Sequence, residues 1–336
     1  MKVASAEKEC AYWQAADDRV LCTLCPLNCR IAEGRAGACK VRVNHAGRLI
    51  ATTYGRVSSA HLDPIEKKPL FHFYPGSVIL SLGTLGCNLS CQFCQNWTIS
   101  QEMSPTRALS AAQAVEMAAG EQGNIGIAFT YNEPVIWFEY VMETAALARE
   151  RGLKNVMVTN GFANREPWVE LLRYVDAVNV DVKSMRPEFY RRICRGKMEP
   201  VLENVRLAKE AGCWVEVTNL VVTNHNDTPD DFEKLTDWLD SIDPDIPLHF
   251  SRYHPDYKMT DPPTPLATLE RAAEIARRKL RYVYVGNVFS RGGEDTVCPS
   301  CGAVVIGRSG FSITRAAVRD GKCAACGFGL ALIGSR

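Results

Sequence analysis

The chain has 336 residues, of which 46% are hydrophobic and 23% are charged, and its formal net charge is +1. This composition is typical of a globular protein with a large core, and the near-neutral charge gives no indication of nucleic-acid or anionic-membrane binding. No apolar run is long enough to span a bilayer, and residues 1–10 lack the apolar stretch of a secretory signal, so we expect a cytoplasmic protein without a membrane partner.

Cysteine usage is unusually high for a cytoplasmic chain of this size, since the sequence contains fourteen cysteines. Eleven of them fall into three groups with the short spacings of metal ligands. A disulfide framework is the alternative, but the length of the chain and the missing secretory signal argue against it. The three remaining cysteines are expected to be ordinary structural residues: Cys10, Cys194 and Cys213.

Residues 1–76 are predicted to form a cysteine-rich N-terminal module. Its four cysteines, called here the N-terminal set, follow a C-x2-C-x3-C-x9-C pattern: Cys22, Cys25, Cys29 and Cys39. Four thiolates can close a zinc site or complete an iron–sulfur cluster, and cysteines that merely pack are the alternative. A hairpin is predicted at 40–54, and the prolines of 57–75 predict an ordered loop that leads into the core.

Residues 77–291 show apolar strand patterns alternating with helical patterns. Strands are predicted at 78–83, 125–130, 154–159, 177–182, 214–222, 246–250 and 281–288. Helices are predicted at 110–120, 134–152, 165–174, 187–193, 200–212, 229–241 and 265–279. This alternation predicts an α/β fold with a parallel sheet and crossover helices, and the length per unit favours a partial (β/α)6 barrel over a flat doubly wound sheet.

The loop after the first of these strands carries the central cysteine set, Cys87, Cys91 and Cys94, in a C-x3-C-x2-C pattern. Three thiolates can hold three irons of a cubane cluster and leave the fourth iron free to bind another molecule, whereas an electron-transfer cluster usually has four cysteine ligands. The alternatives are a buried apolar loop or half of a zinc site. Phe93 would supply an apolar wall beside the cluster.

Polar residues follow the other predicted strands at the same rim. Because the carboxyl ends of barrel strands carry the functional loops, we expect these side chains to surround a small-molecule site beside the cysteine loop. The candidates are Asn132, Glu133, Thr159, Asn160, Asp181, Lys183, Glu216, Asn219, His249, His254 and Asn287. Each alone is a weak signal, since Asn and Asp at strand ends are often turn residues.

The cysteine loop and its surroundings resemble a known superfamily. A C-x3-C-x-aromatic-C loop after the first strand of a partial barrel is similar to that of the radical S-adenosylmethionine (SAM) enzymes. The resemblance extends to the Cys-Pro-Leu-Asn-Cys motif at 25–29, to segments 54–57, 63–70, 94–97 and 130–134, and to the cysteine-rich tail. These segments resemble one branch, the AmmeMemoRadiSam system radical SAM enzyme, which is related to pyruvate formate-lyase activating enzymes.

The resemblance implies a [4Fe-4S] cluster at the central set, whose open iron chelates the methionine part of SAM. One electron would break the sulfonium C–S bond and yield a 5′-deoxyadenosyl radical, which would take a hydrogen atom from an unknown substrate. It also implies an electron donor of the flavodoxin or ferredoxin type, and association with Memo-type and AMMECR-type proteins.

The resemblance also implies positions for SAM contacts at the second and third strands. Asn132 and Glu133 would contact the SAM amino group, and Thr159 and Asn160 would approach the ribose. Val158 stands where relatives often have an acidic residue, which is a departure at the expected ribose contact.

At the fourth strand, the resemblance assigns Asp181 to a ribose hydroxyl and Lys183 to the methionine carboxylate, roles that suit their chemistry. His249 and His254 are candidates near the adenine or the substrate, and a core or rim histidine without ligand duty is the alternative for each.

Residues 292–336 are predicted to form a zinc-ribbon-like module. Two C-x2-C-Gly knuckles provide the C-terminal cysteine set: Cys298, Cys301, Cys323 and Cys326. Zinc is expected, and a rubredoxin-like iron site with the same ligands is the alternative. The module has a modest number of basic residues and few aromatic ones, so we do not expect it to bind nucleic acid.

Three functions are consistent with these patterns. The first is a radical SAM enzyme acting on an unknown substrate. The second keeps this chemistry but installs a glycyl radical on a partner protein. The third is a non-catalytic iron–sulfur or zinc protein that serves in redox transfer or as a scaffold.

Overall fold

A computed structural model describes residues 8–288 and 292–334. Residues 1–7 of the segment assessed for a secretory signal, and residue 291 at the predicted end of the barrel, lie outside the described residues. Within the described residues, no helix has both the length and the hydrophobicity needed to cross a bilayer.

The N-terminal module is built from short antiparallel strands. Its strands are β1 (Trp13–Ala16), β2 (Arg19–Cys22), β3 (Arg30–Ala32), β4 (Arg42–His45), β5 (Arg48–Ala51) and β6 (Arg56–Val57). Strands β1, β2 and β3 form one sheet in that order, and β4 and β5 form the hairpin predicted within 40–54.

The central sheet has eight strands and confirms the predicted α/β class. They are β7 (Ser59–Pro64), β8 (Val78–Gly83), β10 (Asn124–Phe129), β11 (Lys154–Thr159), β12 (Ala177–Asp181), β13 (Trp214–Val221), β14 (Leu248–Arg252) and β15 (Val283–Gly286), while β9 (Arg107–Ala108) pairs with β6. The order across the sheet is β15-β14-β13-β12-β11-β10-β8-β7. The strands from β8 to β15 in this order run parallel, joined by six crossovers, which is the predicted (β/α)6 pattern with one further strand.

Strand β7 lies where the sequence predicts a loop. It pairs antiparallel with β8 from Ser59 to Pro64, so the sheet begins before the predicted module boundary at 76/77. The prolines did not prevent this, because Pro64 ends the strand and the strand lies at the edge of the sheet, where a missing N–H is tolerated.

The crossovers contain helices that pack against the sheet in one large hydrophobic core. The helices are α1 (Trp97–Ser100), α2 (Ala111–Gly120), α3 (Phe138–Glu150), α4 (Arg165–Leu172), α5 (Pro187–Phe189), α6 (Glu199–Glu210), α7 (Pro229–Asp240) and α8 (Leu266–Ala276). The predicted helix at 187–193 is divided into α5 and a π-helical turn, Tyr190–Cys194.

The N-terminal end of the sheet is closed by the segment that connects β7 to β8. The backbone N–H groups of Phe71 and His72 donate to Glu216 of β13 at 2.9 and 2.8 Å. The His72 ring is fully buried between the Tyr284 hydroxyl and the Ala331 carbonyl, and it forms hydrogen bonds with both. We call the group formed by His72, Glu216 and Tyr284 the floor of the barrel. Through His72 it is hydrogen-bonded to Ala331 of the C-terminal tail.

The buried ring of His72 predicts a stability change in mild acid. Burial lowers the pKa of His72 to about 4, although the nearby charge of Glu216 raises it. Between about pH 6.5 and pH 4 the unfolded chain binds a proton that the folded chain rejects, so stability falls as the pH drops through this window. The free energy of unfolding, measured in urea on the anaerobic protein, should fall between pH 7 and pH 5. This fall should be about 2 kcal/mol smaller in His72→Gln than in the wild type.

His61 provides the matched control for that measurement, since it is an exposed histidine on β7. His61→Gln should leave the difference between the two pH values as it is in the wild type. Equal pH dependence of His72→Gln and the wild type would contradict the assignment to His72.

The C-terminal ribbon follows the barrel and docks onto its floor. Its strands are β16 (Thr296–Val297), β17 (Val304–Ser309), β18 (Ser312–Ala316), β19 (Val318–Arg319) and β20 (Lys322–Cys323). Arg308 of β17 is buried, donates to the Phe71 carbonyl at 2.7 Å and lies 4.3 Å from the centre of the Phe71 ring. The ribbon is therefore anchored at the end of the sheet opposite to the predicted rim site.

Candidate active site

The loop that carries the central cysteine set is held by a residue from the exit of β10. Asn132 Oδ1 accepts a hydrogen bond from the Thr84 N–H at 3.1 Å, and Asn132 Nδ2 donates to the Gly86 carbonyl at 2.8 Å. Gly86 has a φ of +86°, and a Cβ there would lie 2.4 Å from the Cys39 carbonyl oxygen. Only glycine satisfies both constraints, so Asn132 and Gly86 together fix the point at which Cys87 leaves the turn.

The three central thiols face one cavity of about 230 Å³ at the C-terminal edge of the sheet. Within the described residues, only the C-terminal set brings three or more potential ligand atoms within 4.8 Å of one another. At least one pair of central sulfur atoms is therefore more than 4.8 Å apart, whereas Zn–S bonds of about 2.3 Å place sulfur ligands about 3.8 Å apart. Three widely spaced thiols fit a cubane cluster with one iron free of protein ligands.

Glu133 is fully buried and lines the same cavity. Its Oε1 accepts hydrogen bonds from the Val135 N–H at 2.9 Å and the Thr159 hydroxyl at 2.7 Å, and its Oε2 accepts from the Asn160 N–H at 2.8 Å. Burial raises the pKa of Glu133 to about 7, although these hydrogen bonds lower it. A carboxylate has about four acceptor positions, so Glu133 can accept one further donor.

Asn160 and Thr159 have different positions although they are adjacent in sequence. Asn160 lines the cavity, and its Nδ2 donates to Asn88 Oδ1 at 3.0 Å and lies 3.6 Å from Cys87 Sγ. Thr159 lies behind the cavity wall, where its hydroxyl donates to Glu133. Thr159 therefore does not line the cavity, and its hydroxyl is engaged by Glu133.

Asp181 and Lys183 form an ion pair on the cavity wall at the end of β12. Lys183 Nζ lies 3.0 Å from Asp181 Oδ2, and the Lys183 side chain is 12% exposed whereas that of Asp181 is 35% exposed. Burial lowers the pKa of Lys183, but the charges of Asp181 and the Cys91 thiolate raise it more, so the pKa of Lys183 lies above its usual value. The pair thus presents a fixed positive charge and an accessible carboxylate to the cavity.

The cavity also contains polar residues that were not singled out from the sequence. Thr218 of β13 and Ser251 of β14 line it, together with Leu220, and Ser100 of α1 lies 3.2 Å from Cys94 Sγ. The signal that could have found them is strand periodicity. Residues two apart share a face, so the interior face of β13 that carries Glu216 also carries Thr218 and Leu220.

The same periodicity explains why His249 does not line this cavity. His249 shares a strand face with Ser251, but it lies two residues nearer the N-terminal end of β14, roughly 6.6 Å deeper in the barrel. There its Nε2 contacts Glu216 Oε2 at 2.7 Å in the floor of the barrel. His254, in contrast, is exposed at the rim, where it contacts Gln95 Nε2 at 3.3 Å.

The cysteines outside the three sets are buried, as the sequence predicts for structural residues: Cys10, Cys194 and Cys213. Cys194 lies at the end of the π-helical turn beside the central cysteine loop, and its carbonyl accepts a hydrogen bond from the Ser90 N–H at 2.9 Å. A fourth cysteine thus lies beside the central set, which sequence spacing did not indicate.

The C-terminal cysteine set has the geometry of a single-ion site. The Cys298 and Cys326 sulfur atoms are 3.7 Å apart, and those of Cys301 and Cys323 are 3.8 Å apart. These distances match the edge of about 3.8 Å expected for four thiolates around one zinc or iron ion. The two knuckles are equivalent, since Gly302 and Gly327 both have positive φ.

We expect replacement of one of these ligands to remove the ribbon metal without affecting the rim. Cys301→Ala should reduce the metal at this site from about one ion per chain to less than about 0.2, because a structural zinc site needs all four ligands. Elemental analysis of zinc and iron, with a sulfide assay, measures both sites. Cys213→Ala is the matched control, and an unchanged metal content in Cys301→Ala would contradict the site.

Comparison with known proteins identifies the class. A family model described as the radical SAM superfamily matches residues 82–239. An uncharacterized protein of Methanocaldococcus jannaschii is 46% identical over 329 residues, which cover 95% of this chain and 98% of that protein. The pyruvate formate-lyase-activating enzyme of Streptococcus mutans is 22% identical over 172 residues, which cover 47% of this chain and 64% of that enzyme.

Solved structures show the same fold. A radical SAM methyltransferase from Sphaerobacter thermophilus matches with a TM-score of 0.51 and 18% identity, over 68% of this chain and 71% of that one. Streptococcus suis SuiB bound to S-adenosylmethionine matches with a TM-score of 0.51 and 16% identity, over 62% of this chain and 52% of that one.

The fold and the three-thiol loop define an iron–sulfur enzyme that depends on SAM. Residues 82–239 match the radical SAM superfamily, and the proteins similar to this chain include pyruvate formate-lyase-activating enzymes. This match implies a [4Fe-4S] cluster and SAM as cofactors. It also removes the non-catalytic scaffold from the three functions that the sequence left open.

Proposed function

We propose that this enzyme cleaves SAM reductively at a [4Fe-4S] cluster held by the central cysteine set. When bound, the cluster supplies the electron that converts SAM into methionine and a 5′-deoxyadenosyl radical, which abstracts hydrogen from the substrate. The observation that carries the proposal is that three widely spaced thiols share one cavity with the Asp181–Lys183 pair and the buried Glu133. These groups match the charges of the amino acid part of SAM and its ribose hydroxyls.

Four polar residues of the cavity then have defined roles. The ammonium of Lys183 binds the methionine carboxylate, and the exposed oxygen of Asp181 accepts a hydrogen bond from a ribose hydroxyl. The free acceptor position of Glu133 would accept a hydrogen bond from the SAM amino group. Asn132 acts as a positioning residue, because both polar atoms of its side chain are bonded to the turn before Cys87.

Apolar side chains complete the cavity and keep water from the radical. Leu89, Phe93 and Leu220 line it, and the Phe93 ring lies 5.8 Å from Lys183 Nζ. Exclusion of water protects a reactive intermediate from side reactions and strengthens the charged contacts around it.

The proposed setting is the cytoplasm, because eleven free thiols in metal-binding groups require a reducing compartment. We propose three units, with a cysteine-rich module, a barrel and a metal-bearing ribbon. An electron donor of the flavodoxin or ferredoxin type would serve the enzyme. The resemblance of the sequence to the AmmeMemoRadiSam system supports Memo-type and AMMECR-type proteins as partners.

A second candidate is an activating enzyme that installs a glycyl radical on a partner protein. The relatives named 4-hydroxyphenylacetate decarboxylase activating enzyme, from Clostridium scatologenes, and pyruvate formate-lyase-activating enzyme favour it. The chain spans 37% and 64% of the lengths of these two proteins. Their substrates are therefore not assigned to this chain. A glycyl-radical EPR signal on a co-expressed partner would support this candidate, and a small-molecule product would count against it.

The test of the first proposal is anaerobic reconstitution with iron and sulfide, followed by dithionite and SAM. We expect 5′-deoxyadenosine and methionine in equal amounts, and a change in the EPR spectrum of the reduced cluster when SAM is added. A fully formed central cluster that leaves SAM intact, and whose spectrum SAM does not change, would overturn the proposal.

A further inference from the structure

The N-terminal cysteine set encloses a second site, separate from the rim cavity. All four cysteines of the set line one small, closed cavity of about 10 Å³, whose other walls are mainly aliphatic. Cys22, Cys25 and Cys39 are less than 9% exposed. Four thiols that converge on a closed apolar space are a built ligand set, because ordinary packing does not require four cysteines to face one another.

The spacing of these thiols differs from that of a single-ion site. Within residues 8–288 and 292–334, the C-terminal set alone brings three or more ligand atoms within 4.8 Å of one another. No three sulfur atoms of the N-terminal set therefore reach the spacing of about 3.8 Å that one tetrahedral zinc or iron requires. Sulfur ligands on different irons of a cubane lie farther apart, so the set suits a [4Fe-4S] cluster.

An arginine with an unused buried donor also lines the cavity. Arg42 lines it, is 1% exposed and forms two hydrogen bonds to Glu139 at 2.9 and 3.1 Å. Its Nε is buried and has no hydrogen-bond partner among the described residues. An unsatisfied buried donor costs about 1–3 kcal/mol, and a cluster sulfur in this cavity would offer it an acceptor.

Backbone donors point at the thiols in the same way. The Ala38 N–H lies 3.5 Å from Cys29 Sγ, and the Leu24 and Leu27 N–H groups bond to the thiols of Cys22 and Cys25. Such N–H···S bonds stabilise thiolates that are bound to iron.

The second site adjoins the central cysteine loop. A Cβ on Gly86 would lie 2.4 Å from the carbonyl oxygen of Cys39, so the two backbones touch one residue before Cys87. A short path thus joins a ligand of one set to a ligand of the other.

We propose that the N-terminal cysteine set binds a second [4Fe-4S] cluster, which passes electrons to the cluster at the rim. The relay rests on the proposed function, whereas the site itself does not. One electron leaves a flavodoxin- or ferredoxin-type donor, reduces the second cluster from the 2+ to the 1+ state, and then moves to the rim cluster. No bond forms or breaks and no proton moves at the N-terminal site.

Acid-labile sulfide in the reconstituted full-length chain tests the site. We expect about eight sulfide ions per chain, because each cubane contains about four and the C-terminal set contributes none. About four sulfide ions per chain would overturn the proposal, whatever metal the ribbon holds. This assay needs no variant and no active enzyme. Its result for the second cluster therefore does not depend on whether the enzyme cleaves SAM.

A variant lacking the central set gives a second readout. In the triple variant C87A/C91A/C94A, about four sulfide ions should remain, with an EPR signal after reduction that SAM does not change. The reduced wild type should show a broadened spectrum that differs from the sum of the separate clusters, because the two sites adjoin. The proposal would be overturned if this variant held about two zinc ions per chain and no sulfide, or if the wild-type spectrum equalled the simple sum.

The relay is tested by comparing electron donors. In Cys25→Ser, SAM cleavage driven by reduced flavodoxin should fall at least about tenfold, while cleavage driven by dithionite should stay within about threefold of the wild type. Cys213→Ser, a buried cysteine outside every set, is the control and should behave as the wild type with both donors. An equal loss with both donors would reject the relay. If Cys25→Ser also loses the sulfide of the rim cluster, the relay is judged instead from the EPR spectrum of the reduced wild type, as described above.

Discussion

Cys91→Ala is expected to abolish SAM cleavage, with a loss of at least about 1,000-fold, which corresponds to about 4 kcal/mol of the activation barrier. Cys91 is the most buried of the three central thiols, and the spacing of the set leaves no spare ligand within it. Without the cluster there is no one-electron route into the sulfonium bond, and binding of SAM alone does not break it. Production of 5′-deoxyadenosine under dithionite, together with sulfide content, measures the loss.

Cys194 makes this prediction specific, because it is a second buried thiol and lies beside the central cysteine loop. If the central set alone holds the cluster, Cys194→Ala should keep the rim sulfide and at least about one third of the activity. Its replacement leaves only a small cavity, which costs roughly 1 kcal/mol of stability. Retained cleavage in Cys91→Ala with a loss in Cys194→Ala would show that the ligand assignment is wrong.

The sequence predicted the parallel sheet well, because its strands are buried on both faces and read as continuous apolar runs. The strands at Val78–Gly83 and Lys154–Thr159 have the predicted bounds. Strand β7 was missed for the opposite reason. It is an exposed edge strand with mixed polarity, and only its pairing with β8 makes it a strand.

The sequence predicted which strand ends surround the candidate site, but it did not predict how deep each side chain lies in the barrel. Asn132, Glu133, Asn160, Asp181 and Lys183 do line one cavity, as expected for residues at the ends of parallel strands. Position along a strand is harder to assign, because a shift of two residues keeps the face but changes the depth.

Hydrogen-bond partners were the part of the site that the sequence could not supply. The Thr159 hydroxyl donates a hydrogen bond to Glu133, and the Asn132 side chain donates one to the Gly86 carbonyl. Such pairings depend on the meeting of distant segments, so local spacing carries no signal for them.

Lys183→Met is expected to weaken SAM binding about 100-fold, or about 2.7 kcal/mol, while leaving the cluster in place. Methionine keeps the length and apolar stem of the side chain but removes the ammonium that we assign to the SAM carboxylate. Among the described residues, Asp181 is its ion-pair partner, so the negative charge of Asp181 would then face the cavity without compensation. Equilibrium binding of SAM to the reconstituted enzyme, with sulfide content as the check on the cluster, measures the effect.

Lys258→Met is the matched control, since Lys258 is an exposed lysine on the rim loop that follows β14 and does not line the cavity. It should leave SAM affinity within about threefold of the wild type. An effect confined to the apparent KM for SAM would place Lys183 in binding, whereas a fall in kcat at saturating SAM would indicate a role in cleavage. Unchanged affinity in Lys183→Met would remove the carboxylate contact from the proposed site, because no other positive charge lines the cavity within the described residues.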